Sequence, residues 1–350
     1  MNARHGIEEP SGSRFILAAD GIRGLACLLV LIAHHVWIFR ATHAYLDGCG
    51  KIGVWLFFVL SAYLLTHKFI LNDFTRASLA DYCSGRFFRI IPLFSLAVGF
   101  YYLAGTAGIN SRQDVVRALF FRAGFAHLWT IPVEFKFYAI LPPVVWLILQ
   151  IYHKFQISGV LVTALCLIFI HQFFYPYWLL PENSIEVRWY IPAFLVGIAA
   201  AFLDREVHSR TANICGFAVI LIVLLATPFM RQQILGIKPT GYLTNKYLYF
   251  CVLWAIFIVT QAQAAGLIGR VMQSRYMAAL GHWSYSIYLI HWYFVMKAGE
   301  IAPDKWWSFL LSLGLSITSG WLLFVFIERP ISSFRSKLRY RFLSQASRRK

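Results

Sequence analysis

Charged residues are scarce in this sequence, and acidic ones especially so. Only 13% of its 350 residues are charged, with 15 Asp or Glu against 32 Lys or Arg, while 59% are hydrophobic. Soluble domains have about a quarter of their residues charged. The scarcity of charge therefore excludes a soluble globular protein and predicts a polytopic membrane protein whose solvent is the bilayer.

Paired cysteines and the common catalytic signatures are also lacking. The six cysteines form no CxxC pair and mostly lie in apolar runs, so we expect neither a disulfide framework nor a zinc site. No P-loop, GxSxG elbow, HExxH helix or GxGxxG turn occurs in a supporting context. These absences argue against an ATP-driven pump, a hydrolase of the usual fold and a zinc protease. We expect no metal and no permanently bound cofactor.

Features of a cleaved signal and of a soluble domain are missing too. The N-terminus has no short apolar region followed by a small-residue cleavage site, so no removable signal peptide is expected. No polar stretch exceeds the length of a loop or tail, so no appended soluble domain is expected either. The basic residues lie between apolar runs and in the tail, which indicates contact with membrane lipids and not with nucleic acid.

Apolar runs recur along the whole chain instead. A helical span needs about 20 mainly apolar residues, and this criterion predicts an all-α polytopic membrane protein with about ten transmembrane helices. Residues 1–335 would form one integral membrane domain, followed by a basic cytoplasmic tail at 336–350. The predicted spans are roughly 15–39, 50–71, 88–107, 128–150, 157–176, 188–203, 212–229, 245–263, 280–298 and 305–328.

The distribution of Lys and Arg predicts the orientation. With both termini in the cytoplasm, the loops and tails on that side hold about 19 of the 32 basic residues. This predicts a multi-pass protein of a bacterial inner (plasma) membrane. Residues 111–126 depart from the rule, because three Arg alternate there with apolar residues at helical spacing. We expect them to form an amphipathic helix in the membrane interface.

Ionisable residues occur inside the first apolar run. Asp20 and Arg23 lie in its first half, and His34 and His35 in its second half. A charged side chain at the bilayer centre costs roughly 2.5–3.5 kcal/mol, so such residues usually face a cavity. On a helix, Asp20, Arg23 and His34 share a face, with about 16 Å between Arg23 and His34. His35 points about 100° away and is expected to pack elsewhere.

This spacing predicts one polar groove with two functional positions. Arg23 would bind an anion at the first, and His34 at the second would be a titratable group that takes a proton from a hydroxyl. The alternative is that His34 is a core histidine hydrogen-bonded to a neighbouring helix.

Two arginines precede the third predicted span. Arg86 and Arg89 lie three residues apart in RFFRIIP, so they share a helical face at the predicted cytoplasmic boundary. Two guanidinium groups there would clamp a phosphate, because Arg binds phosphate oxygens in bidentate fashion. The alternative is ordinary positive-inside anchoring with snorkelling side chains.

The segment HLWTIPVEFKFYAILPP, residues 127–143, carries a carboxylate in an apolar run. Glu134 and Lys136 lie inside it, with Trp129 and Tyr138 nearby. A carboxylate within a membrane indicates a functional site. Glu134 would orient the histidine of the first span, or pair with Lys136 or with the arginine of the first span. The alternative is a solvated Glu134 near the interface.

The segment LGHWSYSIYLIHW, residues 280–292, carries a polar stripe. Ser284, Tyr288 and His291 recur in it at helical spacing. Such a stripe faces a cavity or other helices, and interhelical hydrogen bonds with an interfacial aromatic belt explain it equally well. The sequence ERP at 328–330 closes the last span and by itself indicates a helix terminus with an exposed ion pair.

Six segments together resemble the acyltransferase-3 family of integral membrane O-acyltransferases. They occur in the family's order along nearly the whole chain, which is a far stronger indication than any one of them. The chain resembles the standalone members, which lack an SGNH domain. The segments are ADGIRGLACLLVLIAHH, GVWLFFVLSAYLL, RFFRIIP, HLWTIPVEFKFY, LGHWSYSIYLIHW and ERP.

The resemblance implies an enzyme that moves an acyl group, with acetyl expected, from acyl-CoA to a hydroxyl of a cell-surface or lipid-linked glycan. The family pattern of an Arg, ten residues and a His matches Arg23 and His34, which singles out the first of the two adjacent histidines. The family's Arg-x-x-Arg motif matches Arg86 and Arg89, implicated in handling the acyl-CoA donor. Its carboxylate matches Glu134.

The predicted site thus has catalytic, donor-binding and substrate-binding parts. The histidine would act as general base on the acceptor hydroxyl or would take the acyl group first. The alternative function is a transporter or flippase for a sugar or lipid-linked glycan, which polar residues in broken spans also fit. The predicted catalytic residues are His34, Arg23, Asp20 and Glu134, the donor-binding residues are Arg86 and Arg89, and the substrate-binding residues are Tyr138, Trp129, Tyr288 and His291.

Overall fold

All regular structure in the described part of the chain is helical. The computed structural model describes residues 12–46, 48–72, 74–203, 207–238, 242–263 and 266–347. No strand occurs within these ranges, which confirms the prediction of an all-α protein. The α-helices are α1 (Gly12–His35), α2 (Cys49–Leu71), α3 (Arg76–Ala104), α4 (Arg112–Leu119), α5 (Thr130–Phe174), α6 (Ile191–Ala201), α7 (Ser209–Leu225), α8 (Pro228–Leu235), α9 (Tyr247–Gln261), α10 (Leu267–Met272), α11 (Arg275–Ile301), α12 (Trp306–Leu323) and α13 (Arg329–Ser347).

Several helical stretches are long and apolar enough to cross a membrane, which confirms a membrane protein. Within the described ranges there are five, or six if α7 and α8, which meet at a bend of 77°, count as one more. The predicted number of ten spans is therefore not confirmed. The five stretches are Ala18–Ile38, Cys49–Leu71, Arg76–Ala104, Ala126–Phe174 and Trp306–Leu338.

The remaining predicted spans correspond to helices that pack against several other helices. The apolar stretches Val187–Ala201 and Tyr247–Gln261 are shorter than a span, and they contain α6 and α9, which pack against α2 and against each other. Helix α11 is long enough but carries polar residues, and it packs against α1 and α12. A helix buried among others needs neither the length nor the uniform apolarity of a helix that faces lipid.

Helix α5 contains a break that separates two predicted spans. Its 45 residues would measure about 68 Å as one straight helix, roughly twice the thickness of the hydrocarbon core. Gln156 interrupts it with φ 55° and ψ −156°. This break lies between the predicted spans 128–150 and 157–176, so the two-segment interpretation of this region fits the backbone.

Helices α1 and α11 cross at close range because glycines line their contact. A Cβ atom at Gly24 of α1 would lie 2.3 Å from the backbone oxygen of Met277 on α11, and one at Gly281 of α11 would lie 1.7 Å from the backbone oxygen of Asp20 on α1. Both distances are far below van der Waals contact, so these positions require glycine. Helix α1 packs against α2 as well. Its polar residues are therefore presented to protein and not to lipid.

The amphipathic segment predicted at 111–126 is helical only in its first half. Helix α4 begins after Ser111, whose hydroxyl caps it in a reciprocal capping box with Asp114. The hydrogen bonds from Ser111 lower the pKa of the exposed Asp114 carboxyl. The helix ends at Leu119, and Phe121 then takes a left-handed φ of 57°. The predicted helical length was therefore wrong, because a turn interrupts the pattern.

The C-terminal region stays helical beyond the predicted end of the last span. A π-helical turn at Phe324–Glu328 joins α12 to α13, so the interpretation of ERP as a helix terminus was wrong. Glu328 accepts a hydrogen bond of 2.7 Å from the hydroxyl of Ser286 on α11. Arg335 on α13 pairs with Asp81 on α3 at 2.5 Å. Residues 348–350 of the predicted tail lie outside the described residues.

Candidate active site

An ion pair holds Arg23 near the start of α1. The Arg23 guanidinium donates to the carboxylate of Asp20, one helical turn before it, and the Asp20 carboxylate lies 3.5 Å from Nε2 of His282 on α11. Asp20 is buried. A buried charge must be paired to persist in a protein. Asp20 therefore fixes the Arg23 side chain, and it does not itself line the cavity that Arg23 faces.

Three arginines line one cavity among α1, α2, α3, α5 and α11. Arg23, Arg86 and Arg89 share its wall, so the two helical faces predicted from the sequence do converge. The guanidinium carbon of Arg86 lies 5.5 Å from the centre of the Tyr138 ring, which is a cation–π contact. We name this space, of about 150 Å³, the Arg cavity. Its strongly basic wall suits an anionic ligand.

Glu134 also lines the Arg cavity. Its carboxylate accepts hydrogen bonds from the hydroxyl of Ser61 at 2.6 Å and from the hydroxyl of Tyr138. Lys136 turns away and donates to the backbone oxygen of Ile185 at 3.0 Å. Glu134 therefore neither pairs with Lys136 nor lies solvated at an interface. Sequence spacing could not reveal Ser61, because it lies on a different helix.

His34 lines a second cavity, which we name the His cavity. Its volume is about 210 Å³. Three tryptophans contribute to the wall, and the ring of Trp292 lies 5.1 Å from His34 and 5.4 Å from Trp37, measured between centroids. Polar groups contribute as well. The other side chains that line it include those of Lys51, His127, Trp129, Glu182, Asn183 and Tyr288.

The hydrogen bonds of His34 and His291 fix where their protons lie. His291 Nδ1 is 2.7 Å from the backbone oxygen of Tyr288. A carbonyl only accepts, so this nitrogen carries the proton, and Nε2 of a neutral His291 must then be an acceptor. His34 Nδ1 lies 2.8 Å from that Nε2 and donates to it. The second nitrogen of His34, Nε2, is left with a free lone pair.

That lone pair faces the beginning of α2. A Cβ atom built on Gly50 would lie 2.8 Å from His34 Nε2, so only glycine leaves the nitrogen uncovered. Gly48 and Gly50 both line the His cavity. Nothing in the sequence drew attention to Gly50 or His127, because each gains its significance from a helix distant along the chain.

His35 lies in a different environment from its neighbour. Its side chain is fully buried, with Nδ1 2.7 Å from the backbone oxygen of Leu31 and Nε2 3.2 Å from the hydroxyl of Ser316 on α12. The first nitrogen is thus engaged within α1, and the second joins α1 to α12. The structure places His34 at a cavity and His35 in the protein interior, as the helical spacing predicts.

The single polar groove expected from the sequence is divided in two. Arg23 lines the Arg cavity and His34 lines the His cavity, and Tyr288 contributes to both walls. The predicted substrate-binding residues are distributed between these spaces. Tyr138 belongs to the Arg cavity and Trp129 to the His cavity. His291 is fully buried behind His34 and lines neither cavity.

Comparison with known proteins decides the family. A model of the family described as "Acyltransferase domain" (Acyl_transf_3) matches residues 16–325 of the chain, which include both cavities. The chain belongs to the acyltransferase-3 family. This confirms the resemblance carried by the six segments. As an acyltransferase-3 protein, it is expected to act on an acyl donor. Among the described residues, no group of three or more His, Cys, Asp and Glu side chains is arranged to hold a metal ion.

Individual relatives of this acyltransferase-3 chain are distant. A protein of Staphylococcus aureus strain COL assigned as an O-acetyltransferase is 22% identical over 94% of this chain and 59% of its own length. The O-acetyltransferase OatA of S. aureus strain NCTC 8325 is 22% identical over 93% of this chain and 58% of its own length. The chain thus spans about three fifths of the length of these relatives. No solved structure matches it.

Proposed function

We propose that this protein is a membrane O-acetyltransferase, which moves an acetyl group from acetyl-CoA to a hydroxyl of a cell-surface or lipid-linked glycan. The family membership and the names of the S. aureus relatives support the reaction class. The observation that carries the proposal is the free Nε2 lone pair of His34 at a cavity, with a second histidine bonded behind it.

The Arg cavity is the proposed donor site. The diphosphate and phosphate groups of acyl-CoA are anionic, and guanidinium groups bind phosphate oxygens in bidentate fashion. Arg86 and Arg89 would hold these groups, and Arg23, fixed by Asp20, lines the same cavity. Both termini and the donor entrance would then lie in the cytoplasm, where acyl-CoA is made. The pantetheine arm would extend from the arginines toward His34.

Glu134 would shape this donor site without touching the reacting atoms. Its carboxylate fixes the hydroxyl of Tyr138, and the ring of Tyr138 in turn contacts the guanidinium of Arg86. The chain of contacts holds Arg86 in one position, so that less conformational entropy is lost when the donor binds. The hydroxyl of Ser61 donates to the same carboxylate oxygen, Oε1, as the hydroxyl of Tyr138.

His34 would act as the base. Its Nε2 takes the proton of the acceptor hydroxyl while the oxygen attacks the thioester carbonyl, the carbon–sulfur bond breaks, and the CoA thiolate takes the proton back from the imidazolium. In the other route, His34 Nε2 attacks the thioester carbonyl first, the carbon–sulfur bond breaks, and the CoA thiolate leaves an acetylimidazolium. The acceptor oxygen then attacks the acetyl carbon, the bond from this carbon to Nε2 breaks, and the CoA thiolate takes the hydroxyl proton. In both routes the positive charge that develops on His34 is shared with His291 through the Nδ1–H···Nε2 hydrogen bond.

The His cavity is the proposed acceptor site. Trp37, Trp129 and Trp292 offer flat apolar faces against which the C–H groups of a sugar ring can pack. Lys51, Glu182 and Asn183 offer donors and acceptors for its hydroxyls. An apolar wall with a few directed polar groups is the usual construction of a small-molecule site. Trp37, 38% exposed, is the most exposed of the three tryptophans.

The test is to follow acetyl-CoA with the purified protein in detergent. We expect release of free CoA, and we expect His34→Ala to reduce it by roughly 100-fold or more, since a positioned base typically contributes that factor. His153→Ala is the matched control, because His153 is exposed and lies outside both cavities. Intact acetyl-CoA in the presence of candidate glycan acceptors would refute the proposal and favour a transporter. Full activity of a stable His34→Ala protein would refute the role of His34 as the base.

A further inference from the structure

One side chain separates the two cavities. Tyr288 lies on α11, is only 8% exposed, and contributes to the walls of both the Arg cavity and the His cavity. Its hydroxyl donates to the backbone oxygen of His127 and lies 2.8 Å from Oγ1 of Thr130. The phenol has one proton, and the carbonyl takes it, so the Thr130 hydroxyl donates to the phenol oxygen.

These two hydrogen bonds hold the phenol of Tyr288 at the boundary between the two cavities. His127 lines the His cavity, whereas Thr130 lines the Arg cavity. The ring therefore fills the passage between the proposed donor site and the proposed base, and its hydroxyl is bonded to the segment that precedes and begins α5. The phenol is uncharged and rotates about two side-chain bonds, so it can leave the passage without exposing a charge or shifting a backbone segment.

The backbone of Tyr288 takes part in the site as well. Its carbonyl oxygen accepts the Nδ1 proton of His291 and so fixes the proton on His34. The residue that fills the passage therefore also anchors the base. A ring that moves about its own side-chain bonds leaves this carbonyl in place, so the passage can open while His34 keeps its free lone pair.

We propose that the Tyr288 ring is a partition between the two cavities and moves aside when the acyl group passes. In this position it limits both the size of the acyl group and the access of water to the thioester. The proposal rests on the proposed function, because it assigns the donor to one cavity and the acceptor to the other. A thioester held behind the closed ring meets neither water nor base. When the ring swings aside, a two-carbon acyl group passes and a longer chain is obstructed.

The first test compares two variants of Tyr288. Tyr288→Ala empties the passage, whereas Tyr288→Phe keeps the ring and loses both hydrogen bonds. The assay measures CoA release from acetyl-, butyryl- and hexanoyl-CoA without any acceptor. We expect Tyr288→Ala to raise the hexanoyl-to-acetyl ratio and the acceptor-independent release of CoA by about tenfold, and Tyr288→Phe to keep the parental preference for acetyl. Parental values of both quantities in Tyr288→Ala would overturn the proposal.

Two controls guard against a general loss of structure. Tyr276→Ala removes a tyrosine ring from the same helix at a position that is 68% exposed and lies in neither cavity, so it should leave chain-length preference unchanged. Tyr288→Leu opens the passage less than alanine does but keeps apolar packing. If Tyr288→Ala lowers the thermal unfolding temperature, Tyr288→Leu is expected to show the same change of preference at smaller amplitude, and a parental profile in a folded Tyr288→Leu counts against the partition.

A second test is independent of catalysis. Ser61 lines the Arg cavity, so Ser61→Cys places a thiol there. A small, charged, membrane-impermeant methanethiosulfonate is added to sealed vesicles on the side of the His cavity, and labelling at position 61 is read by mass spectrometry. We expect labelling about ten times faster when Tyr288→Ala is added, and equal rates would overturn the partition. If the parental protein cleaves no acyl-CoA, the proposed function fails, whereas the labelling result still decides whether Tyr288 separates the cavities.

Discussion

At the scale of single residues, the neighbours of a side chain decide what its chemistry is used for. His34 and His35 are adjacent and identical, yet one has a free nitrogen at a cavity and the other has both nitrogens engaged within the bundle. The 100° step between consecutive helical residues produces this difference. His291 then supplies what a lone membrane histidine lacks, a hydrogen-bonded partner that fixes one proton and stabilises the charged form.

Gly50 offers a sharp test of the geometry at His34. In Gly50→Ala the new Cβ would lie 2.8 Å from Nε2 and 3.2 Å from Cδ2 of His34, so the imidazole must shift or its free nitrogen becomes covered. A displacement of about 1 Å at a reacting group typically costs roughly 100-fold in rate. We expect a loss of that size in CoA release from acetyl-CoA, with little change in the thermal unfolding temperature.

The control for this substitution is Gly99→Ala on α3, where nothing lies within 4 Å of the added methyl group. It should retain parental activity. Parental activity in Gly50→Ala would mean that the reacting nitrogen does not face the start of α2, and it would remove the basis for the general-base role of Nε2.

Site residues that share a helix are predictable from the sequence, whereas contacts between residues of different helices are not. The period of 3.6 places Arg86 and Arg89 on one helical face, and both line the Arg cavity. The same period put Arg23 and His34 in one groove, but they line separate cavities. The contact of Glu134 with a hydroxyl on α2 follows from how α2 and α5 pack, which no local pattern encodes. The same holds for the hydrogen bond from His34 to α11.

At the scale of elements, the crossing of α1 and α11 brings the functional groups together. Asp20, Arg23 and His34 project from α1, and their partners His282 and His291 lie on α11. The helices approach so closely because each presents glycine where the backbones meet. The polar stripe at 280–292 meets two neighbours, since His291 bonds to His34 on α1 and Tyr288 bonds to Thr130 at the start of α5. These are the interhelical hydrogen bonds of one interpretation, and Tyr288 also lines both cavities, as the other interpretation expects.

This crossing can be tested with a single methyl group. In Gly281→Ala the Cβ would lie 1.7 Å from the backbone oxygen of Asp20, and a backbone atom cannot rotate away as a side chain can. The helices must separate, which typically costs roughly 1–3 kcal/mol. We expect a clearly lower thermal unfolding temperature in detergent and a parallel loss of CoA release, since Arg23 and His34 would leave their partners.

The matched control lies on the same helix. Gly299→Ala adds the same methyl group where nothing lies within 4 Å, so it should be neutral or stabilising by up to about 1 kcal/mol through higher helix propensity. If both variants unfold at the parental temperature, the close approach of α1 and α11 is not a feature of the folded protein.

At the scale of the whole molecule, burial explains why counting apolar runs did not give the number of spans. The criterion of 20 apolar residues describes a helix that faces lipid. Helices α6 and α9 are short and pack against α2 and against each other, and α11 carries polar side chains that meet neighbouring protein segments. The fold class was predictable from the scarcity of charge. The division of one expected groove into two cavities was not, since it depends on where one tyrosine ring lies.

The arrangement of the two cavities along α1 predicts that the enzyme takes its acyl donor from one side of the membrane only. Arg23 and His34 are eleven residues apart in the stretch Ala18–Ile38, so they lie about 16 Å apart along the axis, roughly half the thickness of the hydrocarbon core. In sealed vesicles of known protein orientation, acetyl-CoA cannot cross the membrane. We expect CoA release only from molecules whose Arg cavity faces the acetyl-CoA. Detergent should make the remaining molecules active, whereas a His34→Ala protein stays inactive in both conditions.

Equal release from the two orientations in sealed vesicles would contradict the separation of donor and acceptor sides, because acetyl-CoA would then reach the base through the His cavity without passing the arginines.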